Sequence, residues 1–77
     1  MDLGKDSGLL PLTGTELECL RQCAKGITDA QIGVELELTE FEVASVLNVV
    51  VLKLRVPNRL AGLAKAGRLG LLQKTDT

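Results

Sequence analysis

The chain has 77 residues, of which 45% are hydrophobic, and this suffices for one domain with one core. Nearly all the apolar residues are Leu, Val, Ile and Ala, with one Phe and neither Tyr nor Trp, so the core is expected to be aliphatic. A net charge of −1 excludes a chain that holds nucleic acid by bulk positive charge, and the longest uncharged apolar run, residues 43–52, is too short to span a membrane.

Residues 1–11 lack the apolar stretch of a secretory signal and are expected to form a flexible lead. The domain is expected over residues 12–72, with a flexible tail over 73–77 and a cytoplasmic location. Helix starts then recur along the chain. Thr13 followed by Glu16 makes a capping box, in which each side chain satisfies the other residue's backbone N–H. It predicts a first helix over residues 15–25, stopped at Gly26. Thr28 followed by Gln31 repeats the signal, with Asp29 favoured by the helix dipole. It opens a short second helix over residues 29–35. Thr39 followed by Glu42 opens a third, running to Leu54 or Arg55. In that helix Val43, Leu47, Val50 and Leu54 fall on one stripe at 100° per residue, which marks the core face. Pro57 ends it. Asn58 then caps a fourth helix that Gly70 closes. Gly62 and Gly67 each cost this last helix about 1 kcal/mol relative to Ala.

Few residues in this chain can do chemistry. There is no His, and the two cysteines, Cys19 and Cys23, stand four apart in a helix, where a disulfide is poorly placed. Two thiols without further ligands do not make a zinc site. Both read as small buried hydrophobes in a reducing compartment. With no phosphate-cradling glycine loop and no set of catalytic groups, neither an enzyme, a cofactor nor a small-molecule substrate is expected.

The second and third helices are joined by residues 36–39 alone. A short helix, a tight turn and a longer helix make a helix-turn-helix. Gly33 sits where the two helices must cross closely. The ordered residues Leu12, Thr13, Glu16, Glu18, Leu20, Ala24 and Gly26 then carry a resemblance, which continues through Thr28, Ile32, Leu36, Leu38, Thr39, Glu40 and Val43. It resumes at Val50, Lys53, Leu54, Val56 and Arg59, and ends with Leu63, Ala64, Ala66 and residues 69–72. Together they resemble the LuxR/GerE-type transcription regulators over residues 12–72 without a gap. The resemblance implies an all-α, four-helix domain that binds double-stranded DNA as a dimer, with the third helix in the major groove.

By that resemblance, Ala44, Ser45 and Asn48 face the bases. Thr28, Lys53, Arg55 and Arg59 are the expected phosphate contacts, and Leu60 and Leu63 the dimer seam on the fourth helix. The family usually has Lys at Ala44, His at Val46 and Thr at Glu42, and this chain departs at each. Ala44 can touch a thymine methyl but donates nothing, while Asn48 can pair bidentately with adenine. Residues 26–52 carry Asp29, Glu35, Glu37, Glu40 and Glu42 and no Lys or Arg. Affinity for DNA comes mainly from neutralised phosphates, which this segment opposes. The outer face of the third helix also bears Phe41, Val49 and Leu52, a cluster that reads as a protein-interaction patch. Two functions therefore stand side by side. One is a DNA-binding regulator acting as a dimer. The other is a module that kept the fold, lost DNA recognition, and works by sequestering or docking on another regulator.

Overall fold

The computed structural model describes residues 11–73. The lead expected over residues 1–10 and the tail expected over 74–77 lie outside the described residues. The described residues form four helices: α1 (Gly14–Ala24), α2 (Asp29–Leu36), α3 (Glu40–Leu54) and α4 (Arg59–Arg68). None is long and apolar enough to cross a membrane.

The caps set the boundaries. The hydroxyls of Thr13 and Thr39 accept from the backbone N–H of Glu16 and Glu42 at 3.1 and 3.0 Å. The two carboxylates reach back to the cap N–H groups at 2.9 and 2.8 Å, which completes both boxes. At α2 only half of the expected box forms: Thr28 accepts from Gln31 N–H at 3.2 Å, and the cap N–H receives no reciprocal bond from the Gln31 side chain. Asn58 caps α4 by accepting from Ala61 N–H at 2.9 Å. Gly26, at φ +85°, closes α1 as its left-handed residue.

The helix ends differ from the sequence reading in an informative way. α2 and α3 terminate in left-handed residues that are not glycine, Glu37 at φ 62° and Arg55 at φ 59°. No composition signal marks these two positions. At Arg55 the closure is completed by the N–H of Val56, which donates to the carbonyl of Val51 at 3.3 Å. α4, by contrast, ends as expected: Leu69 is its cap and Gly70, at φ +75°, closes it as the left-handed residue.

α3 packs against all three other helices, and α1 also touches α2. Val43, Leu47, Val50 and Leu54 are all buried, as the stripe predicts, and they meet Cys19, Leu20, Ile32 and Ala66 in the core. Cys23 differs from expectation: it is half-buried, and both cysteines are free thiols. Burial pushes the Cys19 thiol pKa up, and nearby Asp29 adds to this, so Cys19 behaves as an inert core side chain.

Two glycines lie at helix contacts, and one of them, Gly33, fixes the approach. A side chain on Gly33 would land on the Leu38 carbonyl oxygen and come within 3.3 Å of the Leu38 and Thr39 carbonyl carbons. The turn of the helix-turn-helix lies directly on α2 at that point. Gly62 is buried, and its missing Cβ would sit 3.5 Å from the Val56 side chain and 3.9 Å from Leu54 and Val51. These are ordinary contact distances, so a methyl group would fit at Gly62 and the approach of α4 does not require glycine there. Because backbone cannot yield as a side-chain tip can, Gly33→Ala is expected to destabilise the domain by about 2–3 kcal/mol in urea unfolding.

Candidate nucleic-acid interface

α3 turns its core stripe inward, so its opposite face is open. On that open side stand Phe41 (78% exposed), Ser45, Asn48, Val49 and Leu52 (74% exposed). Ser45 and Asn48 therefore present their polar groups outward from mid-helix. Ala44 is half-buried at the edge of this face, and Val46 is half-buried against the core. A residue at Val46 that read bases would have to leave that packing.

The basic residues expected to hold phosphates are placed unevenly. The Lys53 ammonium donates to both carboxylate oxygens of Glu16, at 2.8 and 3.1 Å, and to the Pro11 carbonyl at 3.3 Å. Arg59 pairs bidentately with Asp29, at 3.0 and 2.6 Å. Thr28 is exposed and directs its hydroxyl to Gln31 N–H. Arg55 is exposed at the end of α3 and has no partner among the described residues. Of these four groups, Arg55 alone presents an uncompensated charge.

The two ion pairs also explain the local pKa shifts. Burial pushes the Glu16 carboxyl up, but hydrogen bonds from Lys53 and from Thr13 N–H outweigh it and hold the group below the ordinary carboxylate value. The hydrogen bonds that Arg59 donates to the Asp29 carboxylate raise the guanidinium pKa further above its already high value, so it stays charged throughout the working range. Lys65 adds a third tie, donating to the Leu54 carbonyl at 3.0 Å and satisfying one of the open acceptors at the α3 terminus.

On α4 the expected seam divides. Leu60 is 76% exposed, whereas Leu63 is half-buried and packs against the core. Only Leu60 of the pair offers most of its surface to a partner.

The family described as bacterial regulatory proteins of the luxR type, with the GerE domain, matches residues 10–64. The chain belongs to the luxR family of bacterial regulatory proteins. Three curated relatives are the "HTH-type quorum sensing-dependent transcriptional regulator VjbR" of Brucella ovis, Brucella abortus and Brucella suis. Each is 36% identical over 65 residues, covering 84% of this chain and 25% of the relative. The chain thus spans about a quarter of the length of the curated relatives it matches. No solved structure gives a significant match.

Within the luxR-type domain, sequence reasoning found the exposed face of α3 but missed the ion pairs. Glu16 and Lys53 are far apart in the chain, and so are Asp29 and Arg59; only the packing of α1 on α3 and the folding of α4 back toward α2 bring them together. Glu16, with a lowered pKa, contributes stability above its unfolded value of about 4.3 and loses it as pH falls through the folded value. Lys53→Met is therefore expected to lower stability at neutral pH and to give a shallower acid limb, read by urea unfolding from about pH 3 to 7.

Proposed function

We propose that this chain is a small transcription regulator of the luxR type that binds duplex DNA as a dimer, with α3 as the reading helix. The supporting observation is the α2–turn–α3 pair inside the family match, with Ser45 and Asn48 exposed in the middle of α3. Asn48 has the donor and acceptor needed for adenine, and Ser45 can bond to several base edges. Dimerisation through Leu60 on α4 would double the number of cations near the phosphates, Arg55 first among them. That doubling is needed, because residues 26–52 carry five acids and no base.

The placement of charge favours a second reading. Lys53 and Arg59 are already held by carboxylates, and the reading face has no cation of its own. A luxR-type module with this face would act by protein contact, docking through Phe41, Val49 and Leu52 or sequestering another regulator.

Fluorescence anisotropy with random duplex DNA at low salt separates the two. The DNA reading expects a dissociation constant of about 1–100 µM that weakens steeply as salt rises. A flat titration to about 100 µM protein would reject it in favour of protein contact. Ala44→Lys restores the cation usual in the family, and it should tighten binding and steepen the log–log salt slope by about one. An unchanged slope would mean that Ala44 does not approach a phosphate.

A further inference from the structure

The exposed face of α3 has a symmetry of residue types that neither DNA reading nor core packing requires. At 100° per residue, Phe41, Ser45, Asn48 and Leu52 fall within about 60° of one another around the helix, a strip about 16 Å long. A large apolar residue stands at each end, and two small polar ones stand between them. The midpoint of Phe41 and Leu52 coincides with that of Ser45 and Asn48, between Val46 and Leu47. Such a strip is complementary to itself when reversed.

We propose that a second copy of this chain pairs with the first along α3, antiparallel, about a two-fold axis at that midpoint. The register that sets Phe41 against Leu52 of the second copy also sets Ser45 against Asn48 of the second copy. Two-fold symmetry repeats each contact in the opposite sense. The hydroxyl of Ser45 and the amide of Asn48 can each donate and accept, so they satisfy one another in the centre of an apolar seam. A polar pair in that position disfavours slipped registers.

Charge selects the same arrangement. The acids of the helix-turn-helix lie at or before Glu42, while Lys53 and Arg55 lie at the far end of α3. Reversal brings Glu40 to Arg55 of the second copy on one flank of the seam, and Glu42 to Lys53 of the second copy on the other. Glu40 and Arg55 are both exposed and have no partner among the described residues, whereas Glu42 and Lys53 are already engaged within the chain. The Glu40–Arg55 pair therefore carries the selectivity. A parallel pairing would set Glu40 and Glu42 against their own copies.

One helix face is smaller than a standard interface, so the association is weak and concentration-dependent. It occupies the face that base reading needs, and the self-paired and DNA-bound states exclude each other. The pairing supplies the occupant for the protein-contact reading and rests on that reading in placing protein on α3.

Sedimentation equilibrium of the full chain, with thiols reduced, tests it. The unaltered chain should self-associate as concentration rises, and Phe41→Asp and Leu52→Asp should both be monomers with unchanged helical circular dichroism. Glu40→Arg and Arg55→Glu should each weaken association several-fold, and the two together should restore it. Failure of the double change to restore association overturns this register. Association that Leu60→Asp abolishes and Phe41→Asp leaves intact belongs to α4 and overturns the proposal. A chain that stays monomeric and binds no duplex overturns self-pairing but leaves α3 to a different protein. A chain that stays monomeric and binds duplex overturns both self-pairing and the protein-contact reading.

Discussion

Val43, Leu47, Val50 and Leu54 form the wall on which the rest of the domain is built. Each is buried, and α1, α2 and α4 all pack on the helix that carries them. The dependence follows from composition. With no buried aromatic side chain, apolar burial must come from many interlocked aliphatic groups, each contributing about 1.5–3 kcal/mol when fully removed from water. Small contact residues help: Cys19, Gly33, Gly62 and Ala66 are buried where helices meet and leave room for close approach. A three-turn helix such as α4, with two internal glycines, would not hold its shape alone and depends on this wall.

Polar ties act on the same frame. Lys53 joins the end of α3 to the start of α1, Arg59 joins the start of α4 to that of α2, and Lys65 binds the last carbonyl of α3. Partly exposed pairs of this kind add little net stability. Their main consequence is positional, because they orient α1 and α4 and engage basic groups that could otherwise meet phosphates. Among the described residues, Arg55 at the end of α3 and Glu40 at its start are then left as charges without a partner.

That residue of charge gives the luxR-type scaffold its particular character. A reading helix normally presents donors and cations to a polyanion. α3 presents instead two small polar side chains between large apolar ones, with acids at its leading end and a cation at its trailing end. Ser45 and Asn48 suit base edges, while Phe41, Val49 and Leu52 suit another protein. The two proposed uses would compete for one surface, because both need the same face of α3.

The sequence by itself determined the four helices, three of their starts through threonine caps, the core stripe of α3, the close crossing at Gly33 and the outward face of Phe41, Ser45, Asn48 and Leu52. Each of these is local: a cap acts over three residues, and a helical face repeats every three or four. Three features escaped it: the left-handed ends at Glu37 and Arg55, the half-burial of Leu63 and Cys23, and the pairing of Lys53 with Glu16 and Arg59 with Asp29. Only the tertiary structure decided those, because they depend on which helices meet and at what angle. A side chain's charge can be read from the sequence, but its availability to a partner is set by neighbours distant in the chain.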